Sequence, residues 1–180
     1  YRGDELVGKV ELGLGAGWYE REHEAYGIPF PPTAQRFDRL EEQLEIITGL
    51  WHTPVGAHYS FAGKHYQLTG SPALPKPAQT PGPPVIVGGH GKVRTPKLAA
   101  TYADEFNVPF GSLDDTRAQF DRVREASHAV GRTSSSRRPL VLSAAQTIAC
   151  GRTETEARNR AENIGTTPPL IGTPNQVVDQ

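Results

Sequence analysis

The stretch that decides the fold is PVIVGGHGKVRTPKLAATYADEFNVPF, from Pro84 to Phe110. An apolar run leads into glycines, a helix start follows at Thr95-Pro96, and DEFNVPF is a second short strand. Threonine can cap a helix, and proline at the first helical position loses no donor that the helix needs. The first strand is continuously apolar rather than alternating, which is typical of a strand buried on both faces in a parallel sheet.

The same alternation of strands and helices extends along the chain on both sides of this unit. A helix is predicted over 34–51 with Thr33 as its N-cap, because apolar residues recur there at steps of three and four, namely Phe37, Leu40, Leu44, Ile47 and Trp51. The other predicted elements are a strand at 9–14, a short helical turn in WYEREHEAYG, a helix from the cap Ser112 to the stop Gly131, a strand PLVLSAAQTIAC, a helix with the capping box Thr153-x-x-Glu156, and one more helix start in GTPNQVVDQ.

This order of elements predicts an α/β fold with a parallel sheet and covering helices. Two architectures satisfy it, the (β/α)8 barrel and the doubly wound open sheet. Four strong strands are visible, so a barrel would be present as about four of its eight βα units. We expect a single domain over residues 1–180, with the hairpin HYSFAGKHYQL and the proline-rich connector SPALPKPAQTPGPP forming an insertion at 52–83.

Composition limits the class of protein. The 180 residues are 36% apolar and 22% charged, and no run approaches the roughly 18 apolar residues of a membrane span. The formal net charge of −1 offers no electrostatic footprint for nucleic acid or an anionic membrane. We therefore expect a small-molecule partner, and neither a nucleic-acid nor a membrane partner.

Cysteine and methionine usage gives two further expectations. Cys150 is the only cysteine, which excludes an intrachain disulfide and a cysteine-based structural metal site. We predict no metal site, and a cytosolic, reducing location is the default. The sequence contains no methionine, so the chain is expected to be processed or truncated at its N-terminus.

Glycine-rich runs close two of the predicted strands. The first has glycine at every second position of ELGLGAG, and the second is Gly88–Gly91. In both candidate architectures ligands bind at the carboxyl ends of the strands, where bare backbone can cradle an anion. Arg94 and Thr95 add a guanidinium and a hydroxyl beside the second run. The two runs together predict a phosphate site, such as that of a nucleotide-like cofactor.

The residues alone leave alternatives open. The glycines can merely form tight turns. The dinucleotide fingerprint G-x-G-x-x-G fails because Trp18 stands where the third glycine is needed, and the Walker motif fails because Val93 follows the Gly-Lys pair. Ser143 and Cys150 lack the context of a nucleophile motif. Any catalysis is therefore expected to be carried by a bound cofactor.

Titratable residues offer weaker candidates. A dense cluster on the short helical turn consists of Glu20, Glu22, His23 and Glu24, most of which are expected to face solvent. His90 lies inside the second glycine run, which makes it a stronger site candidate than the histidines at 52, 58 and 128. The identity of a catalytic acid or base is unknown from the sequence.

Four blocks carry a family resemblance: VELGLGAGWYEREHEAYGIPFPPTAQRFDRLEEQLEIITGLW, FAGKHYQL, PPVIVGGHGKVRTPKLAATYADEFNVPF and GTPNQVVDQ. Together they resemble the luciferase-like monooxygenase superfamily, and within it the deazaflavin (coenzyme F420)-dependent oxidoreductases of actinobacterial type. The resemblance covers nearly the whole chain from about Leu6. It implies a (β/α)8 TIM barrel of the bacterial luciferase-like type, incomplete here with about four central-to-late βα units.

The resemblance also implies a cofactor across the barrel mouth, coenzyme F420 or alternatively FMN. The phosphate loop would comprise Val87, Gly88, Gly89, His90 and Gly91, followed by Arg94 and Thr95. Beside the ring and ribityl chain would lie Gly15, Ala16 and Gly17, and Arg21 matches a position that often contacts the cofactor.

The implied activity is hydride transfer between the deazaflavin C5 and an unidentified small organic substrate, with a homodimer plausible. An FMN-dependent luciferase-like monooxygenase is the alternative enzyme. A non-catalytic barrel fragment is the alternative of another class, because half a barrel exposes apolar strand edges.

The chain departs from the family pattern at its ends. The family has about three βα units before this region and a final strand and helix after it. The missing front normally supplies a non-prolyl cis peptide behind the cofactor ring, and commonly a histidine or tryptophan near the substrate. We also expect residues to be absent between Arg2 and Asp4 and around Thr166–Ile171.

Overall fold

The computed structural model describes residues 10–132, 139–165 and 167–179. Its strands are β1 (Leu12–Leu14), β2 (Tyr59–Ala62), β3 (Gln67–Ser71), β4 (Val85–Gly88), β5 (Glu105–Pro109), β6 (Val141–Ala145), β7 (Ile148–Cys150) and β8 (Leu170–Gly172). Its helices are α1 (Glu20–Ala25), α2 (Thr33–His52), α3 (Arg94–Tyr102), α4 (Leu113–Ala129), α5 (Glu154–Asn163) and α6 (Pro174–Val178). The predicted gap between Arg2 and Asp4 lies outside the described residues, and so does Thr166.

A parallel sheet of four strands, in the order β1-β4-β5-β6, forms the centre of the structure. These are the four strong strands predicted from the sequence, and the parallel pairing is confirmed. Leu14 pairs with Val87, Val87 with Phe106, and Phe106 with Leu142. Because the strands are parallel, the glycine runs that follow β1 and β4 lie next to each other at the carboxyl edge of the sheet.

Helices cover one face of this sheet, which we call the outer face. Alternate residues of β4 and β5 point into the helices and are buried, namely Val85, Val87, Phe106 and Val108. They pack with Leu40 and Leu44 of α2, Leu98 and Ala99 of α3, and Val123 of α4. The opposite, inner face carries the residues between them, so the sheet separates an apolar core from a more polar surface.

The predicted helix over 34–51 is confirmed, but Thr33 is not its cap. Pro32 occupies the N-cap position and Thr33 is the first helical residue. The Thr33 hydroxyl instead accepts a hydrogen bond from Arg36 Nη2 at 3.2 Å. An interaction with a side chain one turn later therefore replaced the capping role expected from residue type.

The predicted start of α3 was also wrong. The helix begins at Arg94 with Val93 as N-cap, so Thr95 is buried in the first turn and Pro96 is the third helical residue. Proline is tolerated there because the first four helical N–H groups have no partner within the helix. The Thr-Pro signal therefore lies in the first turn of α3, but it misplaced the residue at which the helix begins.

Other helix ends follow the predicted chemistry more closely. Ser112 Oγ accepts from the Asp115 N–H at 3.1 Å, and α4 stops before Gly131. Thr153 Oγ1 accepts from the Glu156 N–H at 3.2 Å, although the Glu156 carboxylate accepts from Arg152 N–H rather than closing the capping box. The predicted last helix is α6, with its N-cap threonine followed by proline.

The segment PLVLSAAQTIAC was predicted as one strand and forms two. β6 pairs with β5 in the central sheet, whereas β7 pairs with β8 in a separate parallel pair. The change of partner occurs at Gln146-Thr147, between the two strands. Hydrophobic patterning shows that a segment is extended, but it does not show which neighbour each half will pair with.

The predicted hairpin is confirmed as the antiparallel pair β2-β3. It is attached to α2 by Glu42, whose carboxylate accepts from the backbone N–H groups of Lys64, His65 and Tyr66 at 2.9–3.2 Å. Burial by itself would raise the pKa of Glu42, but these donors outweigh it and hold the pKa below its ordinary value.

Candidate functional site

The second glycine run is built against the neighbouring strand. A Cβ on Gly88 would lie 2.9 Å from the backbone oxygen of Asn107. Gly89 has a φ of +129°, a backbone conformation that residues other than glycine rarely adopt. The Gly89 N–H donates to Asn107 O at 3.1 Å. Gly88 is therefore required by the close approach of the neighbouring strand and Gly89 by its positive φ, so this run is more than a generic turn.

The side chain of His90 is fixed at the edge of this run. Its Nε2 lies 2.6 Å from Pro109 O, and because a carbonyl can only accept, Nε2 carries the proton. The imidazole thereby ties the loop after β4 to the end of β5. His90 is exposed at the carboxyl edge, where sequence reasoning expected it.

The first glycine run leaves open space beside the sheet. A Cβ on Gly13 or Gly15 would meet no atom within 4 Å. Gly17 has a φ of +78° and lies against the His23 ring. The run is held from α2, because Arg36 Nε donates to Ala16 O at 3.1 Å.

Arg36 is itself held in place by several contacts, although no sequence motif singled it out. Its Nη1 donates to Pro31 O at 2.6 Å, and its guanidinium carbon lies 3.8 Å above the centre of the Phe30 ring. A cation over an aromatic face is stabilised by the ring quadrupole. The guanidinium thus fixes the first loop from the N-terminal turn of α2.

Arg94 is oriented differently from the expectation that placed its guanidinium beside the phosphate. It donates to Asp38 Oδ1 at 2.7 Å and to Glu41 Oε2 at 3.0 Å, both on α2. Hydrogen bonding to Arg94, followed by that to Lys64, holds the pKa of Asp38 below its ordinary value. The guanidinium is thus engaged by carboxylates, and a phosphate contact from Arg94 would require it to exchange these partners.

The remaining predicted site residues lie in two different settings. Thr95 is buried beneath the second run, where a Cβ on Gly91 would collide with its hydroxyl. Arg21 is exposed on α1. The acidic residues of the titratable cluster on α1, Glu20, Glu22 and Glu24, are exposed as expected. Among the described residues no group of three His, Cys, Asp or Glu side chains could hold a metal ion.

A polar chain crosses the inner face next to the glycine runs. Ser143 Oγ donates to the Glu105 carboxylate and accepts from Asn107 Nδ2 at 2.8 Å. This arrangement fixes the orientation of the Asn107 amide, since only its nitrogen can donate to the serine. Sequence reasoning considered Ser143 only as a nucleophile, whereas the structure shows it as a link between two strands.

Phe110 closes β5 in a conformation that is unusual for phenylalanine. Its φ is +53° and the residue is 70% exposed. Its N–H donates to Ala145 O at 2.8 Å, which holds the turn. Strained backbone at the carboxyl edge of a parallel sheet is the setting in which functional loops are found.

The sheet also has a cavity at its other end. It has a volume of about 1060 Å³ and is lined by residues that begin the strands, including Glu11, Val85, Glu105 and Val141. This amino edge is remote from the glycine runs. In barrel folds this end contributes to stability rather than to ligand binding, and we assign the functional site to the carboxyl edge.

Comparison with known proteins identifies the family. Residues 6–174 match the luciferase-like monooxygenase family. The chain belongs to this family. The resemblance stated from the sequence blocks is thereby confirmed.

Two curated relatives in the luciferase-like monooxygenase family differ in cofactor. The chain is 31% identical over 128 residues to an F420-dependent glucose-6-phosphate dehydrogenase of Kineococcus radiotolerans, covering 70% of this chain and 36% of the relative. It is 27% identical over 124 residues to an FMNH2-dependent dimethylsulfone monooxygenase of Pseudomonas putida, covering 69% of this chain and 33% of the relative. The chain therefore spans about a third of the length of these relatives.

Solved structures support the fold. A monooxygenase from Streptomyces bottropensis superposes with a TM-score of 0.70 at 18% identity, covering 93% of this chain and 55% of that one. An F420-dependent secondary alcohol dehydrogenase superposes with a TM-score of 0.69 at 19% identity, covering 86% and 44%. The parallel sheet and its helices are part of the luciferase-like (β/α)8 barrel, which decides against the open sheet.

None of the helices in the described part of the chain has the length and apolar character needed to cross a membrane.

Proposed function

We propose that the protein is an oxidoreductase that uses coenzyme F420 to transfer hydride to or from a small organic substrate. The observation that carries this proposal is the adjacency of two glycine runs at the carboxyl edge of a luciferase-like barrel sheet. The 31% identity to an F420-dependent dehydrogenase supports this cofactor. When bound, the deazaflavin supplies a C5 that accepts or donates hydride.

The residues present suit a flat cofactor with a phosphate tail. The absent side chains of Gly13 and Gly15 leave open space on the inner face, against which a planar ring can lie. At the second run Gly89 N–H is already bound to Asn107 O, so the proposed phosphate donors are the later N–H groups of His90 and Lys92. The N-terminus of α3 follows immediately and favours an anion there.

The chain's own residues act in this proposal by binding and orienting. Gly88–Gly91 binds the phosphate, and Gly15–Gly17 forms the surface beside the ring. Arg36 keeps the first loop in place through Ala16 O, and Arg94 joins α3 to α2 behind the second loop. Thr95 and Arg21 stay proposed cofactor contacts. Orientation of a reactive cofactor against its substrate is the main contribution such a protein makes.

An FMN-dependent monooxygenase is the second candidate. The specific observation in its favour is the similarity to an FMNH2-dependent monooxygenase over 69% of the chain. Both cofactors combine a planar tricyclic ring, a ribityl chain and a phosphate, so the same two runs would suit either. The glycine runs alone therefore do not decide between them.

Titration of the cofactor-free protein with F420 and, separately, with FMN tests the proposal. We expect tight binding of F420, followed by a change in deazaflavin absorbance as hydride is transferred in the presence of a substrate panel. Tight FMN binding without F420 binding would favour the monooxygenase.

Binding of neither cofactor would favour the non-catalytic alternative. Size-exclusion mass measured on the same sample tests the predicted homodimer. The cytosolic location stays a prediction as well.

A further inference from the structure

A glutamine of α4 lies buried beneath the second glycine run. The side chain of Gln119 is only 2% exposed. On the same helix face, Val123 packs into the apolar core. A buried amide is costly unless its polar atoms are hydrogen-bonded. The partners of Gln119 therefore indicate why a polar residue occupies this position.

The amide nitrogen of Gln119 is directed at the glycine loop. Nε2 donates to Gly91 O at 2.7 Å, and a longer contact of 3.4 Å reaches Gly89 O. The first is a normal hydrogen bond and the second is a weak one. One side chain thus draws two loop carbonyls towards α4.

Arg122 determines which end of that amide faces the loop. Its Nη1 donates to Gln119 Oε1 at 2.8 Å. A flipped amide would place Oε1 against the Gly91 and Gly89 carbonyls and its NH2 against a guanidinium, so both contacts would become repulsive. The orientation of Gln119 is therefore set by charge as well as by packing.

Holding these two carbonyls also orients the N–H group that follows each of them in the chain. In a trans peptide the C=O and the following N–H lie in one plane and point in opposite directions. With Gly89 O and Gly91 O turned towards α4, the N–H groups of His90 and Lys92 point away from it. The buried amide therefore sets the direction of two backbone donors in the loop.

We propose that Gln119 is a positioning residue that orients the Gly88–Gly91 loop so that the N–H groups of His90 and Lys92 bind the phosphate of the cofactor. This inference rests on the proposed function for its ligand. It assigns to Gln119, which touches no ligand itself, control over affinity for the phosphate and not for the ring.

Two probes separate these contributions: F420, and the deazaflavin chromophore that lacks the phosphate-bearing tail. In the wild type we expect F420 to bind more tightly than the chromophore. Gln119→Glu keeps the size of the side chain and its contact with Arg122, but it presents oxygen to the loop carbonyls. We expect this variant to bind F420 about tenfold more weakly, with the affinity for the chromophore unchanged.

Two further variants distinguish positioning from stability. Arg122→Met leaves Gln119 in place but removes the group that orients it, and a smaller loss of the same kind is expected; this variant also serves if Gln119→Glu does not fold. Val123→Ala, one turn further along α4, should lower the melting temperature and leave the ratio of the two affinities unchanged.

The inference would be overturned, while the proposed function stands, if Gln119→Glu and Arg122→Met lost affinity equally for F420 and for the chromophore. It would also be overturned if neither variant lost affinity for F420. If the wild type binds neither probe, or binds both equally, the phosphate makes no contribution to binding, and this result counts against the proposed function itself. The wild-type titration therefore distinguishes the two failures.

Discussion

At the scale of single residues, the site depends on glycines that differ in what surrounds them. Gly88 faces the backbone oxygen of Asn107, whereas Gly13 faces open space. The sequence shows both as glycine in a strand end and cannot separate them. The structure therefore predicts different costs for the same substitution.

Gly88→Ala should destabilise the protein by about 1–3 kcal/mol, because a Cβ 2.9 Å from a backbone oxygen forces the two strands apart. Gly13→Ala is the matched control and should be neutral or stabilising by up to about 1 kcal/mol. Chemical denaturation of the two variants checks this difference. Equal stability of both would contradict the close approach of β4 and β5.

Asp38 gives a prediction on pH. Its pKa is depressed by Arg94 and Lys64, so the stability it contributes is present above the ordinary value of 3.8 and is lost as the pH falls through the lower folded pKa. Asp38→Asn should lower the melting temperature at pH 7, and the difference from wild type should shrink towards pH 3.

Glu125→Gln is the control for that experiment, because Glu125 is exposed on α4 and lies away from the N-terminal turn of that helix. Its melting temperature should follow that of the wild type at both pH values. If the melting temperatures of the wild type and Asp38→Asn differ by the same amount at pH 7 and at pH 3, the prediction for this ion pair is contradicted.

At the scale of elements, α2 is the support for three separate features. Arg36 holds the first glycine loop, Asp38 and Glu41 hold Arg94 of α3, and Glu42 holds the hairpin turn. These four residues occupy the first three turns of one helix. The hairpin and both loops therefore share a common rigid element.

Glu42→Gln should loosen the hairpin from α2. An amide cannot accept with both of its terminal atoms, so at least one of the N–H groups of Lys64, His65 and Tyr66 loses its partner. Trypsin cleavage after Lys64 should become faster at neutral pH. Glu45→Gln on the same helix, at an exposed position, should leave the cleavage rate unchanged, and an equal rate in both variants would contradict the anchor.

The elements also show how far sequence reasoning reaches. The four central strands, the hairpin and the long helices follow from periodicity and turn chemistry, and they are confirmed. The starts of α2 and α3 were misplaced by one or two residues, which is the usual error of a helix boundary. The division of β6 from β7 was missed because it depends on strand partners distant in sequence. Local patterns contain no information about such partners.

The candidate site could be predicted only in part, because local patterns do not show which distant groups a side chain will reach. The glycine runs could be found from the sequence because their proposed role depends on the lack of side chains, which the residue type shows directly. Arg36 and Gln119 were missed, since their roles depend on which carbonyl they reach. For Gln119 a signal existed: a polar residue at the helical spacing of buried Thr116 and Val123. Arg94 was located correctly and oriented wrongly, because its carboxylate partners lie more than fifty residues earlier.

At the scale of the whole molecule, stability comes from the layer between the sheet and its helices. Phe106 is fully buried there and meets Phe120 edge to face, with ring centres 6.4 Å apart. Phe106→Ala should cost about 3–5 kcal/mol. Phe110→Ala removes the same side chain from an exposed position four residues later and should cost less than about 0.5 kcal/mol; denaturant unfolding that ranks them in reverse would contradict this core.

Across the whole molecule, the two glycine runs are proposed to form a single cofactor-binding surface. Hydrogen exchange followed by mass spectrometry, with and without F420, tests it most directly. We predict slowed exchange in peptides covering both 13–17 and 88–92, with the hairpin at 59–71 unchanged. Protection confined to one run, or confined to the amino edge of the sheet, would contradict the claim.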